Sequence, residues 1–104
     1  MILATTDTVA GRAITETIGL VHGSSVRSAH IGTDMMAKLK NLVGGEVTEY
    51  TKLLAESREQ ALDRMVEEAR ARGADAIVGL RFQSSDIGDD AAEMLAYGTA
   101  VRLE

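Results

Sequence analysis

The sequence predicts an α+β fold, a small β-sheet covered by two helices, and three features of the pattern point to it. Segments 14–22, 76–83 and 94–103 are rich in β-favouring residues and are bounded by glycine or polar turns. Two stretches between the first and second of these segments place apolar residues at helical spacing. Glycines stand where each element has to stop. The order is β, α, α, β, β, preceded by a short candidate strand at residues 2–5.

The first strand, residues 14–22, lies between Gly11 and Gly23, which read as turn residues. Ile31, Met35, Leu39 and Leu42 then recur at spacings of four, four and three, which keeps them on one stripe of a helix. Ser25 or Ser28 is its candidate cap, and Gly44-Gly45 is its stop. The second helix is the strongest local signal, because residues 48–72 contain neither proline nor glycine. Tyr50, Leu54, Ala61, Met65 and Ala69 hold its inner face, and Leu53, Leu62 and Val66 widen it. Lys52, Glu56, Glu59, Asp63 and Glu67 form a solvated outer face, and Glu68 precedes Arg72 by four residues, a pairing worth about 0.3 kcal/mol. Gly73 ends this helix, and an acidic loop over residues 84–93 joins the last two strands.

A chain of 104 residues fits one domain spanning 1–104, since a smaller division would leave no useful core. Its 45% hydrophobic content is that of a globular protein, and its apolar runs are too short to cross a bilayer. Asp7 interrupts the apolar opening, so no secretory signal is predicted and the expected location is cytoplasmic. Eleven basic against sixteen acidic residues give a net charge of −5, which argues against a phosphate-backbone partner. The absence of cysteine removes thiolate nucleophiles, thiolate metal ligands and disulfides. Tyr50, Phe82 and Tyr97 are too few for an aromatic stacking platform.

A sheet with one wet face alternates apolar and polar residues, and these strands do not. In the last strand Leu95, Tyr97, Val101 and Leu103 share one face while Met94, Ala96, Gly98 and Ala100 share the other. Ala76, Val78, Leu80 and Phe82 are set in the same way against Ile77 and Gly79. Helices on one side leave the second face to a partner, and a second copy of the chain is the simplest one. Gly19, Gly79 and Gly98 each stand mid-strand, where glycine weakens a sheet, so close approach of a helix or another backbone is expected there.

Thr5-Thr6, Gly11, Gly19, Asp34, Val43-Gly44-Gly45, Tyr50, Gly73-Ala74-Asp75-Ala76-Ile77-Val78-Gly79 and Gly98-Thr99-Ala100-Val101 follow one another as in the YbjQ-like family, which the chain resembles over nearly its whole length. The resemblance implies a two-layer subunit with an antiparallel sheet, assembling as a pentameric ring. Members of the family are uncharacterised and carry a heavy-metal-binding label. The shared residues are mostly glycine, alanine and threonine, which serve backbone geometry more naturally than coordination.

Two constellations offer metal ligands. His22 and His30 are eight residues apart across a glycine-serine turn and form a candidate two-histidine site, short of the four ligands of a structural zinc site unless a second subunit completes it. Asp86, Asp89 and Asp90, with Glu93, gather carboxylates around Gly88, but the spacing is not that of a calcium loop, and a solvated acidic hairpin is the leading reading. Thr5, Thr6 and Asp7 are expected to bond their own backbone. No nucleophile triad, phosphate loop or zinc-protease helix is present, and no cofactor or catalytic residue is predicted.

The expectation is a non-catalytic homo-oligomeric ring whose subunit interfaces bind a small ligand or metal. The alternative is a hydrolase or transferase with an active site shared between subunits, which would need titrating groups in the same cleft.

Overall fold

A computed structural model describes residues 1–28, 48–87 and 91–104. They form strands β1 (Ile2–Leu3), β2 (Ile14–Ser28), β3 (Ala76–Ile87) and β4 (Ala91–Leu103) and one helix, α1 (Thr48–Ala71), an α+β architecture. The helix predicted over residues 31–42, with its stop at Gly44 and Gly45, lies outside the described residues. Among those residues no helix is long and apolar enough to cross a membrane.

The sheet order is β1-β3-β4-β2. Both flanks of β4 are antiparallel, but β1 runs parallel to β3, with Ile2 beside Ala76 and Leu3 beside Ile77. The sheet is therefore mixed, not antiparallel as expected. The cause is topological: after β1 the chain must cross to the opposite edge to begin β2, so β1 and β3 start at the same end. That end is called proximal below.

The strands are longer than the sequence suggests. β2 continues through Gly23 to Ser28, so Ser25 and Ser28 are strand residues and not helix caps. Most of the expected acidic loop is ladder, since β3 runs to Ile87 and β4 starts at Ala91. Fifteen residues of β2, at about 3.3 Å each, span about 50 Å, which matches the 54 Å long axis of the molecule.

Small side chains bring α1 down onto the sheet. Ala61, Met65 and Ala69 are fully buried against Val21, Ala96, Ala100, Ile77 and Leu80, with Ile18, Leu62 and Val66 at the margin. Gly23 is the closest crossing: a Cβ there would lie 2.2 Å from Ala61 O and 2.4 Å from Met65 N. The residue read as a turn is thus the point where strand and helix backbones touch. Leu54, expected on the buried face, is exposed, and at the next turn the buried position is filled by Ser57. Gly73 (φ 77°) ends α1 as predicted, with Ala74 N donating to Ala69 O at 3.0 Å.

The opposite face of the sheet is covered at its proximal end by the chain itself. Ala76, Val78, Val101 and Leu103 form a second buried cluster, closed by Ile2, Val9 and Ile14. Part of the surface assigned to a partner copy is filled by Ile2, Val9 and Ile14.

Two of the mid-strand glycines differ from the expected close approach of a helix or another backbone. Gly79 (φ 61°) sits in a register shift between Val78 and Arg81, and Gly19 (φ 133°) in one between Thr17 and Gly19. These are bulges, which need a conformation that other residues reach only with strain. Gly98 is a tight contact, but within its own sheet: a Cβ would meet Ile77 Cγ2 at 2.7 Å and Val78 O at 3.1 Å. The Gly79 bulge also overturns a face assignment. Leu80 joins Ile77 on the helix side and Phe82 pairs with Ala96 there, so neither shares a face with Val78.

Candidate functional site

Beyond the bulges, no described element packs on the side of the sheet away from α1, and the register fixes which side chains it displays. On β2 these are Leu20, His22, Ser24 and Val26; their β4 partners are Thr99, Tyr97, Leu95 and Glu93. Across β4, Tyr97 pairs with Arg81, Leu95 with Gln83 and Glu93 with Ser85 on β3. Leu20 is 64% exposed and Val26 54%, while Leu95, Tyr97 and Thr99 are half-buried. The result is a mixed face along β2 and β4, in which Leu20, Val26, Leu95 and Tyr97 stand among His22, Ser24, Thr99 and Glu93, flanked by polar residues of β3. Phe82 is 43% exposed on the helix side of β3.

The described residues include some of the predicted site residues and not others. His22 is exposed on this open face, directly beside Tyr97. His30, Asp89 and Asp90 lie outside the described residues, so the two-histidine pairing and the acidic set cannot be assembled from what is described. Asp86 is in β3, paired with Ala92, and Glu93 is a half-buried β4 residue, so neither belongs to a free loop. Thr6 Oγ1 donates to Thr8 O at 2.7 Å, the local bond expected of that segment. The same segment holds β3 in place: Ala4 O and Thr6 O accept from Leu80 N and Gly79 N at 3.0 and 2.8 Å, and Arg81 Nη1 donates to Thr5 O at 2.8 Å.

Sequence reasoning missed the roles of Arg64 and Arg72. Arg64 projects from α1 and Arg72 from the turn that follows its last residue, both along the edge of β2. Arg72 donates to Leu20 O at 2.8 Å and to Ile18 O at 3.1 Å, and Arg64 Nη1 donates to Ser24 O. The expected Glu68–Arg72 ion pair is present at 3.8 Å and steadies the second of these side chains. Spaced eight residues apart on a helix, the two arginines share one face, and that spacing was the available signal. It could not be read without knowing that α1 lies beside a strand edge.

The family whose description reads "Putative heavy-metal-binding", YbjQ_1, matches residues 1–104. The chain belongs to the YbjQ family. A UPF0145 protein of Fervidobacterium nodosum is 57% identical over 99% of this chain and 95% of its own length. A UPF0145 protein of Methanosarcina acetivorans is 54% identical over 99% and 97%. A crystal structure of a protein of unknown function from the DUF74 family of Pediococcus pentosaceus superposes with a TM-score of 0.66 over 100% of this chain and 98% of that one; at 17% identity it shows the shared fold.

The family's heavy-metal description can be tested on donors. Among the described residues no group of three or more His, Cys, Asp or Glu is placed to hold a metal ion. Soft metals favour thiolates and imidazoles, and the chain has no cysteine. The described part of one YbjQ chain does not fit a metal centre.

Proposed function

We propose that the chain is a non-catalytic subunit of a homo-oligomeric ring, with the open sheet face turned toward its neighbours. The observation that carries this reading is the exposure of Leu20 and Val26 beside the half-buried Leu95 and Tyr97, while among the described residues the same sheet is buried on both faces nearer the proximal end. Exposed apolar side chains rimmed by polar ones are what an interaction surface presents. Five is the subunit number implied by the resemblance to the YbjQ-like family; the exposed face supports an assembly of copies without fixing its number. A ligand bound at the interface would meet a cleft with apolar walls and the polar groups of His22, Tyr97 and Arg81, the composition usual for a small-molecule site.

Native mass spectrometry of tag-free protein tests the assembly and reports any retained ligand in the same spectrum. The expected result is a closed oligomer of one size, five subunits by the resemblance. A well-folded monomer at low micromolar concentration overturns the proposal. Titration with zinc, nickel and copper, followed by calorimetry, examines metal binding separately from assembly.

A further inference from the structure

A bulge in β3 decides which side chain stands opposite Tyr97. Thr99 and Tyr97 are two residues apart on β4, while their β3 partners, Val78 and Arg81, are three apart. Without the extra residue Leu80 would face Tyr97; with it, Leu80 turns to the helix side and Arg81 takes the place. Gly79, at φ 61°, supplies the backbone conformation, and the N-terminal segment holds it, Thr6 O accepting from Gly79 N at 2.8 Å and Ala4 O from Leu80 N at 3.0 Å. The same segment fixes the guanidinium: Arg81 Nη1 donates to Thr5 O and to Leu80 O, each at 2.8 Å. Both bonds leave from Nη1, and among the described residues Arg81 has no ion-pair partner. Bulges that re-aim a side chain in this way are a feature of functional sites.

Arg81 is one end of a row. Tyr97 pairs with it from β4 and His22 pairs with Tyr97 from β2, so three hydrogen-bond donors stand side by side, with Cβ atoms about 5 Å apart from strand to strand. Neither the Tyr97 hydroxyl nor the His22 imidazole bonds to another described residue. Leu20 stands on one side of the row and Leu95 on the other. Glu93, the β4 carboxylate of this face, is four residues from Tyr97, or about 13 Å along the strand. Asp7 Oδ1 comes within 3.9 Å of where a Gly79 Cβ would lie, yet makes no ion pair with Arg81. In a chain of net charge −5, the row holds a fixed cation without a counter-ion among the described residues.

We propose that Arg81, Tyr97 and His22 bind the phosphate group of a small phosphate monoester whose apolar part lies against Leu20 or Leu95. A guanidinium already held by backbone carbonyls loses little freedom on binding, and its Nε and Nη2 form a fork that matches two phosphate oxygens. Tyr97 and His22 supply donors to the remaining oxygens, a use that a tetrahedral group makes of three strands more fully than a planar carboxylate. One fixed cation in an acidic chain argues against a nucleic-acid backbone as the source of the phosphate. The site rests on the reading above that the open face binds a small ligand, but the row lies within one chain, so binding and assembly are tested apart.

Inorganic phosphate and phenyl phosphate are the probes, each titrated calorimetrically into the full chain near neutral pH and at low salt. Saturable binding of one phosphate per chain is expected, tighter for phenyl phosphate. Tyr97→Phe removes a hydroxyl that makes no bond in the described fold, and is expected to weaken binding about tenfold, the loss of one hydrogen bond to a charged group. Arg81→Gln is expected to abolish binding. Because Arg81 also ties down Thr5, His22→Gln provides a second change at the exposed far end of the row, with a loss of about tenfold expected. Arg102→Gln, which breaks only the pair with Glu16, is expected to leave binding unchanged. Failure of both probes to saturate, or equal losses from Arg102→Gln and Tyr97→Phe, overturns the site. Native mass spectrometry of the same samples reads the assembly: a closed oligomer that takes up no phosphate removes the site alone, and a monomer that binds phosphate keeps the site and removes the ring.

Discussion

The two ends of the sheet are built from the same strands yet are finished differently. At the proximal end, Ile77 and Ala100 on one face and Val78 and Val101 on the other are each at most 5% exposed, and the edges are closed by β1, the 4–6 segment and Arg72. At the distal end α1 covers one face, through Ser57, Gln60 and the buried Ser25, which donates to Gln60 Oε1 at 2.8 Å. The other face keeps Leu20 and Val26 in water. Apolar content along a strand therefore does not tell how its ends are buried. The proximal end is buried on both faces by the chain's own residues, and among the described residues the distal end is buried on the helix side alone.

The largest expected effect falls where these regions meet. Gly23→Ala drives a Cβ into the backbone of α1 at Ala61 and Met65, which cannot yield as a side-chain tip could. A loss of about 3 kcal/mol is expected, at the upper end of overpacking effects. Urea denaturation measures it, and parent-like stability would show that α1 is not seated on β2 as described.

Two valines sharpen the contrast between ends. Val101→Ala, at a site 1% exposed, is expected to lose about 2 kcal/mol of subunit stability. Val26→Ala, at a site 54% exposed, should stay within about 0.5 kcal/mol of the parent as a dissociated subunit while weakening self-association. Denaturation of the dissociated chain and sedimentation of the assembled one read the two effects independently. Equal losses of subunit stability would erase the distinction between proximal and distal ends.

A smaller change follows from Gly79→Ala. Space is not the obstacle, since the nearest atom to an added Cβ is Asp7 Oδ1 at 3.9 Å, but φ of 61° strains any other residue by about 1 kcal/mol. A proportionate fall in melting temperature is expected, because the bulge must form to bring Leu80 under the helix. The least change in fold stability should come from Arg64→Ala/Arg72→Ala. Its expected signature is misassembly, seen by light scattering as species larger and less uniform than the parent, because the β2 edge is exposed to pairing along its whole length. A variant indistinguishable from the parent in size would show that these arginines do not guard the edge.

Much of the fold was legible in the residues. The α+β class, the helix over 48–71 with Ala61, Met65 and Ala69 inward, its stop at Gly73 and the two faces of β4 all follow from local periodicity. The candidate site was much less legible. His22 was picked out for a possible partner in sequence, but its neighbour in space is Tyr97, which is 75 positions away along the chain and is brought there only by strand register. Arg81 drew no notice because its bond to Thr5 O depends on where the N-terminal segment runs.

Taken alone, the sequence determined the type of the elements over 14–22, 48–71, 76–83 and 94–103, because side-chain spacing along a helix or strand is a property of neighbours in the chain. Only the tertiary structure decided how those segments were covered. The bulge at Gly79 turned Leu80 and Phe82 to the helix side, Ile2, Val9 and Ile14 covered part of the opposite face, and Arg64 and Arg72 capped carbonyls of Ile18, Leu20 and Ser24. Each depends on contacts between residues far apart in sequence, and a one-residue shift in register is enough to exchange a buried side chain for an exposed one.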